Sequence, residues 1–177
     1  MDLQLKDKVA IITGAGRGMG KGISLFLAQE GVRVVIGDID LSRAEKVAKE
    51  AEGYGSQGIP FKVDVTRFDE VKQMAESVLQ RFGRIDILVN NAGAGDQGKL
   101  FTEMELSDWD RVIHLCLYGA LHCNRAVVNA MIQQRSGKII SIVSDAGRIG
   151  EPRMTIYSAA KAAIIGHSKA LAKELGQ

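Results

Sequence analysis

The chain has 177 residues, 46% of them hydrophobic and 25% charged, with a formal net charge of +2. That length supports a sizeable core, while the near balance of charge gives no electrostatic footprint for nucleic acid and no apolar run approaches the roughly 18 residues of a membrane span. Residues 1–6 lack the apolar stretch of a signal peptide, and a reduced, cytoplasmic protein is expected.

From the N-terminus, Val9-Ala10-Ile11-Ile12 is a short, β-branched apolar run, as expected of a parallel strand buried on both faces. The glycine-rich turn Thr13-Gly14-Ala15-Gly16-Arg17-Gly18-Met19-Gly20 follows, then an apolar helical stretch from Ile23 to Ala28. A second strand runs from Val32 to Ile36 and ends at Asp38. Ser42 with Glu45 reads as a capping box opening a helix that stops around Gly53. The third strand is predicted over residues 59–63, a helix over 69–82 closed by Gly83, and the fourth strand over 85–90. Ser107 is the expected cap of one long helix over 108–134. The fifth strand is expected over 138–143, then a loop holding Gly147, Gly150 and Pro152, then a last helix over 155–175. Strands alternate with helices throughout, the pattern of an α/β doubly wound parallel sheet in a single domain spanning 1–177. Cys116 and Cys123 stand seven apart on the long helix, about 10 Å along its axis and too far for a disulfide. His114, His122 and His167 show no metal-ligand spacing, so no metal is expected.

Two clusters carry chemistry. Glycines at a strand-to-helix turn let the backbone approach a pyrophosphate, which the helix N-terminus attracts through its unpaired N–H groups and dipole. An acid some twenty positions on can bond ribose hydroxyls, and Asp38 lies eighteen after Gly20. At the other end, Tyr157 and Lys161 are four apart on one helix face, with Ser144 thirteen positions before the tyrosine. A cation about 4 Å away favours a phenolate by up to ~4 kcal/mol at an effective dielectric of ~20. That would bring a phenol of ordinary pKa near ~10 close to neutrality and make it a proton-transfer group.

The glycine spacing is Thr-Gly-x-x-x-Gly-x-Gly; with Tyr157-Ser158-Ala159-Ala160-Lys161, Asp64-Val65, Asn90-Asn91-Ala92-Gly93 and Ser144 in order, the whole chain resembles the short-chain dehydrogenase/reductase family. The resemblance implies a Rossmann-type sheet of about five strands in the order 3-2-1-4-5. It implies a nicotinamide-dependent oxidoreductase interconverting a secondary alcohol and a ketone. By that resemblance Ser144 is expected to bind the substrate oxygen, Tyr157 to be the acid/base, and Lys161 both to tune the tyrosine and to bond the nicotinamide ribose. Gly14, Arg17, Gly18, Met19, Gly20, Asp38, Asp64, Val65, Asn91, Gly93, Tyr157 and Lys161 are then the cofactor contacts. NAD is expected over NADP, because Asp38 repels a 2′-phosphate more directly than Arg17 attracts one. A small-molecule substrate is expected, either a 3-oxoacyl thioester or a small secondary alcohol or sugar, and self-association into a dimer or tetramer through the helices over 108–134 and 155–175.

Two features depart from the family. The pattern Trp-x-x-x-x-x-x-Asn-x-x-Gly is met by Trp109 and Gly119, but the asparagine of the proton relay is Cys116, which also falls on the apolar stripe of its helix. The chain also stops where family members continue into two more strands and a substrate lid, so an exposed edge at the fifth strand is expected. These departures keep a second reading open, a non-catalytic dinucleotide-binding subunit.

Overall fold

The computed structural model describes residues 3–96 and 98–176. Five parallel strands, β1 (Val9–Thr13), β2 (Arg33–Asp38), β3 (Gly58–Lys62), β4 (Ile87–Asn90) and β5 (Lys138–Ser141), form one sheet in the order β3-β2-β1-β4-β5. The helices are α1 (Gly18–Gln29), α2 (Leu41–Glu52), α3 (Phe68–Phe82), α4 (Leu106–Ile113), α5 (Gly119–Gln134), the short α6 (Ala146–Ile149) and α7 (Thr155–Leu175). Fold class and strand order are those expected from the resemblance.

Alternation along the strands explains the two layers. Val9, Ile11, Val35 and Leu88 join Val71, Met74, Cys123 and Val127 in one core, on the side of α3 and α5. Ala10, Ile12, Val34, Ile36, Ile87 and Val89 join Ala28, Ala44 and Val47 in the other, on the side of α1 and α2. Register carries the chemistry-bearing residues to one rim. Thr13 pairs with Gly37, one position before Asp38, and Asn90 pairs with Ser141. The C-terminal strand ends therefore line up, where open α/β sheets bind ligands.

Several local expectations need correction. The cap of α2 is Asp40, whose carboxylate accepts from the Arg43 amide at 3.3 Å, and Ser42 donates its hydroxyl to Asp40 at 2.8 Å. The backbone is still extended at Asp40, as a cap requires, and Ser42 already lies in the first turn. Likewise α4 opens after Glu105, whose amide donates to Asp108 at 3.2 Å, with Ser107 inside the helix. The long helix is not continuous: α4 and α5 are joined by a π-helical turn, His114–Tyr118, with Cys116 buried in it. Such wide turns recur at functional sites. The fourth strand begins at Ile87 rather than Ile85, because the Gln134 side chain takes both the amide and the carbonyl of Ile85. β5 lies at one edge of the sheet, and a cavity of about 730 Å3 opens beside it between α5 and α7.

Candidate active site

The glycine turn is built on close approach. Gly14 has φ +60, and a Cβ there would lie 2.9 Å from the Ala92 backbone. A Cβ on Gly20 would fall 2.5 Å from both the Gly14 carbonyl and the Asn91 amide. Asn91 holds the turn, donating its side-chain amide to Thr13 O at 2.9 Å and Gly14 O at 3.0 Å. The Thr13 hydroxyl in return accepts from the amides of Asn91 and Ala92. Gly18, at φ +56, faces open space. Arg17 at the N-cap of α1 makes no side-chain cap bond, and the first turn holds no acid. An uncapped N-terminus of a twelve-residue helix beside open, side-chain-free backbone suits a pyrophosphate. Arg17 and Met19 are exposed on the same turn.

Asp38 closes this end. Its carboxylate, 7% exposed, accepts from the Gly16 amide at 2.8 Å and the Asp40 amide at 3.0 Å. Two anchored oxygens still have lone pairs for hydroxyl donors. A few residues away along the rim lies a cavity of about 450 Å3 lined by Ile39, Asp64, Thr66, Arg111, His114 and Leu115. Asp64 is fixed within it by the amide and hydroxyl of Thr66 at 2.9 and 2.8 Å. Val65 is buried, with its carbonyl 2.9 Å from His122 Nδ1.

At the other end α7 presents Tyr157 half-buried and Lys161 4% exposed. Gly147 of α6 lets that helix press on α7, since a Cβ there would lie 2.8 Å from Lys161. Ser144 and Tyr157 bond through their hydroxyls, and Ser144 Oγ also accepts from the Ala146 amide at 3.3 Å. The lysine of this pair also has a backbone partner. Lys161 Nζ donates to the Ile142 carbonyl at 2.6 Å and stands 5.5 Å from the Tyr157 ring centroid. Burial pushes the Tyr157 phenol above its ordinary value, the Cys116 thiol adds to that rise, and the Ser144 bond opposes it. Burial pushes the Lys161 ammonium down. At the phenol desolvation thus outweighs the Ser144 hydroxyl, while the lysine cation is held by a backbone carbonyl.

Gly93 makes room at the centre: a Cβ there would contact Cys116 Sγ at 3.4 Å and Lys161 Nζ at 3.6 Å. Cys116 packs with Val112 and Ala160 and donates its thiol to Ala94 O at 3.3 Å. Cys123 is free and buried, its thiol pushed up to about 12 by burial. The histidines have local partners: His114 stacks on Tyr118 and His167 Nε2 lies 2.9 Å from Asn124 Nδ2. Asn124 in turn accepts from Asn90 at 2.7 Å. One residue of the site escaped sequence reasoning. Asp96, 1% exposed, accepts from the amides of Ile156 and Tyr157. An acid three positions after Asn-Asn-Ala-Gly has no motif to announce it, and its target lies sixty residues away.

The profile of the short chain dehydrogenase family matches residues 8–177. A 3-oxoacyl-(acyl-carrier-protein) reductase of Thermotoga maritima is 43% identical over 173 residues, covering 98% of this chain and 70% of that protein. Among solved structures, an NAD+-bound xylitol dehydrogenase superposes with a TM-score of 0.93 at 34% identity, over 98% of this chain and 66% of that one. A metagenomic short-chain oxidoreductase in complex with NADP also gives 0.93, at 35% identity, over 98% of this chain and 78% of that one. The chain spans about two thirds of the length of these relatives. The glycine turn follows β1 and Ser144 follows β5 in a sheet of this order, and the chain belongs to the short-chain dehydrogenase family of oxidoreductases.

Proposed function

We propose that the protein reduces a ketone to a secondary alcohol, or runs the reverse reaction, with a nicotinamide dinucleotide. The observation that carries this is the convergence of Ser144, Tyr157 and Lys161 on the rim that also holds the glycine turn. When bound, the dinucleotide supplies or accepts the hydride. Gly14, Arg17, Gly18, Met19 and Gly20 hold its pyrophosphate, Asp38 its adenine ribose, Asp64 and Val65 the adenine, and Asn91, Gly93, Tyr157 and Lys161 the nicotinamide end. In reduction Ser144 donates a hydrogen bond to the substrate oxygen, and Tyr157 gives that oxygen its proton. Burial suits this task, since it keeps the phenol protonated and ready to donate. Lys161 orients the site from the Ile142 carbonyl.

NAD is the preferred cofactor in this reading, because the nearly buried Asp38 carboxylate, pinned by two amides, would face a 2′-phosphate as a like charge. The substrate class is a 3-oxoacyl thioester, supported by the named activity of the 43%-identical relative. Self-association through the α5 and α7 faces is supported by Ala159, Ala163, Ala170 and Ile132, all exposed there. No described helix is long and apolar enough to cross a membrane; a cytoplasmic site of action goes with the reading. Titration of the full chain with NADH and NADPH, followed by turnover of a 3-oxobutanoyl thioester against xylitol, tests it. NADH binding tighter by tenfold or more and turnover of the thioester are expected; tighter NADPH binding overturns the cofactor assignment, and no turnover of either substrate overturns the activity.

A further inference from the structure

The helix that carries Tyr157 does not cap itself. Met154, at its N-cap position, makes no side-chain cap bond, and the first turn of α7 contains no acid. Its amides are satisfied from a distance. Asp96 Oδ2 accepts from Ile156 N at 2.9 Å, and the Tyr157 amide donates to Oδ1 at 3.0 Å and Oδ2 at 3.2 Å. The carboxylate is 1% exposed and sits where the helix dipole favours a negative charge. Ionised groups on backbone amides make short, strong bonds, and both carboxylate oxygens are engaged.

The segment leading to Asp96 is anchored along its length. Asn91 at its start grips the glycine turn through Thr13 O and Gly14 O. Cys116 donates to Ala94 O at 3.3 Å, and Arg111 Nη2 to Gly95 O at 3.3 Å. Residues 91–96 are therefore a strap with one end on the cofactor turn and the other on the backbone of the acid/base residue. This also gives Cys116 a job that needs no amide: its thiol fixes the middle of the strap.

We infer that Asp96 is a positioning residue that sets Tyr157 relative to the glycine turn through the strap 91–96. The inference rests on the reading of Tyr157 as the acid/base. It bears on rate because proton and hydride must reach adjacent atoms, and a misplacement of about 1 Å costs on the order of 10²-fold.

The test uses the full chain as wild type, Asp96→Ala and Asp96→Asn, with two readouts. Amide hydrogen exchange needs no turnover. Asp96→Ala should speed exchange at Ile156 and Tyr157 by about tenfold or more, with Asp96→Asn between it and wild type, because one acceptor oxygen remains. The later turns of α7 should exchange as before. In carbonyl reduction, Asp96→Ala should lower kcat about 10-fold to 10²-fold with cofactor Kd within about twofold, and Asp96→Asn should restore part of it. Unchanged exchange at Ile156 and Tyr157 overturns the inference, as does a kcat within twofold of wild type. Exchange rising along all of α7, with cofactor affinity lost in step, also overturns it by showing general unfolding. If the wild type reduces no carbonyl, the catalytic reading of Tyr157 fails, and the exchange result alone decides whether Asp96 holds that residue.

Discussion

Tyr157 and Lys161 illustrate how spacing and environment differ at the scale of single residues. Their i,i+4 relation was legible in the sequence and places both on one face of α7. What the sequence did not disclose is the carbonyl of Ile142, a residue of another segment, which takes the ammonium at 2.6 Å. The pH dependence follows from burial. A phenol raised above ~10 stays protonated across neutral pH, so it is in the donor form for reduction and in the wrong form for oxidation. We expect kcat/KM for ketone reduction to be flat from about pH 6 to 9 and kcat/KM for alcohol oxidation to rise over the same range. Profiles measured in both directions check this; an oxidation rate already on its plateau at pH 7 would show that the phenol ionises near neutrality and that the lysine dominates after all. Cys116 is a second residue whose role depends on the fold: the apolar stripe was legible, whereas its bond to Ala94 O was not.

Periodicity set the elements. Each strand was visible as an apolar or β-branched run, and α3 and α7 matched their expected spans because Gly83, at φ +71, stops the first, and the loop around Pro152 precedes the second. Caps were less legible, for a physical reason. A cap is defined by where the backbone leaves the extended region, so Asp40 displaced Ser42, and in α7 the capping group comes from another loop altogether. The π turn at His114–Tyr118 likewise leaves no mark in the pattern, since its residues are ordinary helix formers. Gly20 is where a local rule can be tested most sharply. Its missing side chain is required by the Gly14 carbonyl and the Asn91 amide, each 2.5 Å from an added Cβ, and Asn91 is itself held by Thr13 and Gly14. Gly20→Ala should weaken dinucleotide binding by at least tenfold and lower stability by about 1–3 kcal/mol, the usual cost of forcing extra volume into packed structure. Calorimetric titration with thermal melting measures both; unchanged affinity would mean that the turn has slack the structure does not show.

Across the whole molecule, the parallel sheet explains why residues as distant as Thr13 and Asn91 meet. Strands that run the same way present all their C-terminal ends on one rim, and the order β3-β2-β1-β4-β5 sets Asp38 on one side and Ser144 on the other of the central pair. Strand order was legible through the family resemblance, and the two-sided burial of β1, β2 and β4 through their continuous apolar runs. The strap at 91–96, which joins the two ends of the site, was not, because its contacts span sixty residues and follow no periodicity. In the proposed function Tyr157 moves the proton of a nicotinamide-dependent reduction. Steady-state reduction of a 3-oxobutanoyl thioester by wild type and Tyr157→Phe, with cofactor Kd measured on both, tests it most directly. The ring is kept and only the hydroxyl is lost, so kcat should fall about 10²–10⁴-fold with Kd within about twofold; a Tyr157→Phe protein that turns over at the wild-type rate would contradict the account.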